Sequence, residues 1–153
     1  TLIKQLTPSE IEAILAHELG HFKRKHIIKQ IGMSFLITLV MLYVLSLLIN
    51  QATFYHMLGV ETMTNANALI LFSMSLSIVM FPFSPLSSYM SRKNEFEADD
   101  FAKVYSNKDD LISGLVKLYR ENSSTVTPDD IYAKFYYSHP PASIRIANLE
   151  KNT

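Results

Sequence analysis

The sequence predicts an all-α chain of 153 residues, held in a membrane by a two-span transmembrane hairpin between polar helical ends. Three observations carry this. From Ile31 to Val60 and from Thr62 to Ser91 there is no Asp, Glu, Lys or Arg, and only Glu61 lies between. Charged residues make up 18% of the chain, below the usual quarter, and they crowd into its two ends. Those ends repeat apolar residues at the 3.6-residue helical period, with no alternating strand pattern.

Composition excludes several classes of function. An apolar fraction of 48% is too high for intrinsic disorder. A formal net charge of +0 supplies no field for nucleic acid, so none is expected as a partner. With no Cys, a disulfide framework, a thiolate metal ligand and a thiol nucleophile are all ruled out. The length suits one region, residues 1–153, and a start at Thr1 without Met or a signal-peptide pattern reads as part of a longer chain.

The elements follow in order. Thr7-Pro8-Ser9-Glu10 matches a capping box with proline at the first helical position. Ile11, Ile14, Leu15, Leu19 and Phe22 then keep the helical period, and with no proline ahead the helix is expected to run past Lys29. Residues 31–49 form the first transmembrane helix: nineteen residues without a charge, apolar all round, when about 20 span the hydrocarbon. Residues 67–85 are expected to form the second, diluted by Ser73, Ser75 and Ser77 and broken near Pro82 and Pro85, with a re-entrant or interfacial segment as the alternative. Lys23, Arg24, Lys25 and Lys29 precede the first span and Arg92 and Lys93 follow the second, while the loop between, about residues 50–66, has no Lys or Arg. The positive-inside rule therefore puts both polar ends on the cytoplasmic side, where the hairpin can bring them together. Further helices are expected from Arg92 to about Tyr105, from about Asp109 to Arg120, after a start at Thr127-Pro128-Asp129-Asp130, and after Pro140-Pro141, with a loop at Asn122-Ser-Ser-Thr-Val.

His17-Glu18-Leu19-Gly20-His21 carries the chemistry. On a helix, positions i and i+4 share a face, so both imidazoles can reach one ion, while Glu18 can face a water on that ion. A catalytic zinc keeps three protein ligands and one open position, and without Cys the third ligand must be His, Glu or Asp. The run Asn94-Glu95-Phe96-Glu97-Ala98-Asp99-Asp100 supplies candidates just after the second span. Glu95 and Asp99 again share a face; Glu95 can bind zinc while Asp99 accepts the free ring N–H of a ligand histidine. Glu97, about 160° round that helix, reads as a bystander. His26 reads as an interfacial residue, and His56 lies in the loop on the far side. Lys23-Arg24-Lys25 reads as an anionic-lipid and orientation signal.

The chain resembles the CAAX prenyl protease type 1 family, integral-membrane zinc metallopeptidases. The likeness rests on Leu15-Ala16-His17-Glu18-Leu19-Gly20-His21-Phe22, on Ser91-Arg92-Lys93-Asn94-Glu95-Phe96-Glu97-Ala98-Asp99, on Tyr137-Ser138-His139-Pro140-Pro141 with Arg145, and on Thr1-Leu2-Ile3-Lys4. It implies a gluzincin-like helical fold and one Zn2+ per chain. It implies that His17, His21 and Glu95 ligate the zinc, that Glu18 is the general base, and that Asp99 supports a ligand. His139 would stabilise the oxyanion, with Arg145 shaping that corner. The implied substrate is a peptide or membrane protein, lipid-modified (CAAX-type) ones included, cleaved at the lipid bilayer by an integral membrane protein with its catalytic residues on the cytoplasmic side. Further membrane helices and a substrate-binding strand would precede Thr1. Asp100 departs from the smaller residues common in the family at that position. Three other readings remain open: a membrane quality-control peptidase of the heat-shock type, a non-catalytic membrane scaffold with a structural zinc, and a soluble helical binding module.

Overall fold

A computed structural model describes residues 5–121 and 128–151, all of whose regular elements are helical. The stretch 1–4, the expected loop at 122–126 and Thr127 lie outside the described residues. The chain divides into two compact units, Thr1–Ile27 with Ser84–Thr153, and Ile28–Phe83.

The first unit holds the candidate site residues His17, Glu18, His21, Glu95, Asp99, His139 and Arg145. Helix α1, Pro8–Lys23, starts as the sequence predicts: the Thr7 hydroxyl accepts from the Glu10 N–H at 3.3 Å, and the Glu10 carboxylate accepts from the Thr7 N–H at 2.7 Å. Pro8 removes one of the four donors a helix start leaves without partners, and these two bonds satisfy two more. The helix does not run past Lys29. It ends at Lys23, the Arg24 N–H donates to the Gly20 carbonyl and the Lys25 N–H to the Phe22 carbonyl, each at 3.0 Å, and Lys25 takes a left-handed φ of 57°. Neither Gly nor Pro marks that break, so periodicity alone could not show it.

Helix α5, Ser84–Tyr105, is longer than the expected Arg92 start, because Pro85 sits in its first turn, where a missing N–H costs nothing. Helices α6, Lys108–Glu121, α7, Asp130–Tyr136, and α8, Ala142–Lys151, follow the expected order. Asp129 caps α7, accepting from the Tyr132 N–H at 2.8 Å. Ala13 and Ala16 of α1, Ala102 of α5, Leu111 and Leu115 of α6 and Leu149 of α8 make the core. The α1–α5 seam is built from small residues: a Cβ added at Gly20 would lie 3.0 Å from the Ala98 Cα and 3.1 Å from its carbonyl oxygen. That close approach sets how near the polar side chains of the two helices can come.

The second unit contains nearly all of α2, His26–Leu48, then α3, Ala52–Met57, α4, Asn65–Met80, and a single 3₁₀ turn, Phe81–Phe83, at Pro82. Its core is small, with Leu45, Tyr55 and Ala68 buried together and the Tyr55 hydroxyl donating to the Ile49 carbonyl at 2.7 Å. The expected loop at residues 50–66 therefore contains a short helix pinned by an inward tyrosine. Along α2 and α4 most apolar side chains are exposed. Both helices are long and apolar enough to cross a membrane, α4 by continuing through the 3₁₀ turn into α5. The 23 residues of α2 measure about 34 Å, against roughly 30 Å of hydrocarbon. A bilayer is the solvent that suits such a surface, and the protein is an integral membrane protein.

Candidate metal centre

His17 and His21 project one turn apart from α1, and Glu95 and Asp99 one turn apart from α5. Their facing sides bring His17, His21 and Glu95 into one group whose donor atoms all lie within 4.8 Å of one another. His17 and Glu95 are buried, and His21 is partly so. The two Nε2 atoms stand 3.1 Å apart. The Glu95 carboxylate is 3.6 Å from His17 Nε2 and 3.4 Å from His21 Nε2. Four-coordinate zinc with bonds of about 2.0–2.1 Å separates its donors by about 3.3–3.4 Å, so these spacings match the edges of one tetrahedron.

The hydrogen bonds explain why the three donors converge. His17 Nδ1 lies 2.9 Å from the Asp99 carboxylate, which accepts its proton. His21 Nδ1 lies 3.0 Å from His26 Nδ1. When both Nδ1 atoms donate, both Nε2 lone pairs are free for an ion beside the Glu95 carboxylate. In that tautomer the two Nε2 atoms and the Glu95 carboxylate offer three converging donors, so the set fits one zinc ion per chain.

Arg145 of α8 is 5% exposed and ties the two carboxylates together. Its Nε donates to Asp99 Oδ2 at 2.8 Å, its Nη2 donates to Asp99 Oδ1 at 2.5 Å, and its Nη1 reaches Glu95 Oε2 at 3.1 Å. Asp99 is fully buried, so this guanidinium is what makes its charge tolerable. Burial opposes ionisation of both acids. For Glu95 the opposing hydrogen bonds from His139 and His17 and the Arg145 charge win, and its carboxyl is held well below the usual range. For Asp99, hydrogen bonds from His17 and Arg145 do the same. Burial also lowers the His17 pKa, yet hydrogen bonds to Asp99 and Glu95 leave it raised overall, whereas burial prevails at His21 and lowers it.

His139 Nδ1 lies 3.1 Å from Glu95 Oε1 while 64% of its side chain is exposed. Its hydrogen bond to Glu95 raises its pKa against desolvation, favouring the donor form. The backbone before it is anchored from α5: Arg92 donates to the Tyr137 carbonyl at 2.7 Å and Ser88 to the Phe135 carbonyl at 3.2 Å. On the other side, the Tyr119 hydroxyl donates to the Pro140 carbonyl at 2.8 Å, fixing the turn into α8. Glu18 is exposed on α1, beside the metal face.

Two sequence-based expectations change. His26 is 3% exposed rather than interfacial, and it bonds the second metal-facing histidine. Glu97 is no bystander, since its carboxylate accepts from His26 Nε2 at 3.2 Å. Its position on α5 is about 160° round the helix from Glu95 and Asp99. The helix break at Arg24–Lys25 brings a third histidine to meet it.

With this geometry in view, the comparisons with known proteins are direct. The model of Peptidase family M48 matches residues 1–153. The chain belongs to peptidase family M48. It is 33% identical over 155 residues to the CAAX prenyl protease 1 homolog of Dictyostelium discoideum, covering 99% of this chain and 35% of that one. It is 32% identical over 147 residues to the human CAAX prenyl protease 1 homolog, covering 92% of this chain and 30% of that one. The crystal structure of S. mikatae Ste24p superposes with a TM-score of 0.80 at 29% identity, covering 94% of this chain and 36% of that one. This M48 chain thus spans about a third of the length of the curated relatives it matches. The family resemblance read from the motifs stands, as do the helical fold and the His-His-Glu zinc cluster.

Proposed function

We propose that residues 1–153 act as the catalytic region of a zinc-dependent membrane metalloendopeptidase, with spans near residues 31–49 and 67–85. One observation supports this above the others: His17, His21 and Glu95 converge at tetrahedral spacing beside an exposed glutamate, Glu18. Zinc held by His17, His21 and Glu95 would supply Lewis acidity and lower the pKa of a water beside it to about 7. Glu18 takes the proton of the attacking water and passes it to the leaving amine. His139 donates to the carbonyl oxygen as it gains negative charge, an interaction worth about 3 kcal/mol in comparable sites. Asp99 keeps the His17 proton on Nδ1, and Arg145 holds Asp99 and Glu95 in place.

The relatives' names and the membrane-spanning helices together suggest substrates that are lipid-modified peptides of the CAAX type, presented at the bilayer. The basic flanks of both spans favour a catalytic side facing the cytoplasm. The test is Glu18→Gln, assayed with a prenylated peptide and its unprenylated counterpart. We expect zinc retained, hydrolysis down by at least about a thousandfold, and a wild-type preference for the prenylated peptide. Hydrolysis surviving in the variant would remove Glu18 from its role, and equal cleavage of both peptides would remove the lipid requirement.

A further inference from the structure

The two metal-facing histidines are held in different ways. His17 leans on Asp99 directly, at 2.9 Å. His21 Nδ1 instead meets a second imidazole, His26 Nδ1, at 3.0 Å, and His26 Nε2 lies 3.2 Å from Glu97 Oε2. With both rings neutral, one arrangement of protons satisfies every atom in that row. His21 Nδ1–H donates to His26 Nδ1, and His26 Nε2–H donates to the Glu97 carboxylate, which leaves the His21 Nε2 lone pair free toward His17 and Glu95. The His26 side chain is 4% exposed and cannot turn to water for another partner. Glu97 lies at the rim, 34% exposed, with Lys93 Nζ 4.0 Å from its other oxygen.

The backbone is bent to make this row. Were α1 to continue unbroken, His26 would stand five residues past His21, about 140° round the helix and out of reach. Lys25 at φ 57° breaks the helix there. A β-carbon crowds that conformation, and residues held in it cluster where a site requires them.

We infer that His26 and Glu97 are positioning residues for zinc: a His21–His26–Glu97 relay fixes the tautomer and ring orientation of His21, as Asp99 does for His17. The inference rests on the zinc reading proposed above. Nothing in the relay touches substrate, so its first effect falls on the metal.

The test measures zinc affinity by competition with a fluorescent chelator, on detergent-solubilised protein whose helicity is checked by circular dichroism. His26→Phe and Glu97→Ala should each weaken zinc about 10–100-fold, the range for such outer partners. His26→Gln can accept from His21 through its amide oxygen and donate to Glu97 through its amide nitrogen, so it should recover most of that loss. Nitrogen NMR of histidine-labelled protein should show His21 protonated on Nδ1 in the wild type and mixed in His26→Phe, a signature that simple loosening would not give. Affinity within about twofold of wild type in both His26→Phe and Glu97→Ala would overturn the relay. Should His26→Phe not fold, the rim residue Glu97 decides alone. Failure of the parent reading looks different: the wild type would take up no zinc, or His21→Ala would bind it as tightly as the wild type, and the relay would fall with it.

Discussion

The two units of this chain invert each other's rules of burial. In the unit that carries the metal centre, Asp99, Glu95, Arg145 and His17 are buried while Leu111 is 1% exposed in a core otherwise rich in alanine. In the other, Leu39 is 48% exposed and most of the apolar side chains of α2 and α4 share that fate. Each unit is matched to a different solvent. Lipid tails are as apolar as leucine, so α2 gains little by burying its side chains in protein. The metal unit uses its interior to hold charges in fixed pairs, which is tolerable only because each is answered by another.

The largest effect should come from breaking one of those pairs. Arg145→Met leaves Asp99 and Glu95 as buried charges without their guanidinium, and should destabilise the protein by about 3–5 kcal/mol, read from denaturant midpoints in detergent. A loss under about 1 kcal/mol would mean that water already reaches the two carboxylates. The second comparison sets the two leucines against each other. Leu111→Ala should cost about 2–5 kcal/mol, since it opens a cavity in a packed core, whereas Leu39→Ala should cost less than about 1 kcal/mol. Equal costs would show that α2 is packed against protein along that face.

The smallest expected effect depends on pH. The Glu10 carboxyl is lowered from 4.5 to about 2 by hydrogen bonds from Lys117, Ser113 and the Thr7 N–H, with Lys117 the largest contributor. A depressed carboxyl adds stability that is complete above its unfolded pKa and is lost as pH falls through the folded one. The difference in melting temperature between wild type and Glu10→Gln should therefore narrow between about pH 5 and pH 2. A constant difference would detach the Lys117–Glu10 pair from the stability of the α1–α6 contact.

Much of the centre was legible because helices convert spacing into facing. His17 with His21, and Glu95 with Asp99, each lie four residues apart, and the hairpin predicted from the charge-free stretches offered a way to bring them together. The helix starts at Thr7 and Asp129 were legible for a local reason, since a cap is decided by three or four neighbours. His26 and Glu97 were not, because their bond depends on a helix break at Lys25 that no Pro or Gly announces. Gly20 stood in plain view within the motif, but its meaning needed Ala98 opposite it, 78 residues on. Arg145 shows the limit most clearly. Its role came only from a family resemblance, because nothing in the spacing of α8 could say that a guanidinium there would meet Asp99 and Glu95 of α5.

Zinc per chain in the wild type beside Glu95→Ala tests directly whether α1 and α5 share one zinc. About one zinc is expected in the wild type and at least about a hundredfold weaker binding in the variant, with helicity unchanged. Wild-type zinc held as tightly without Glu95 would contradict it, and would leave the two histidines of α1 seeking their third ligand elsewhere.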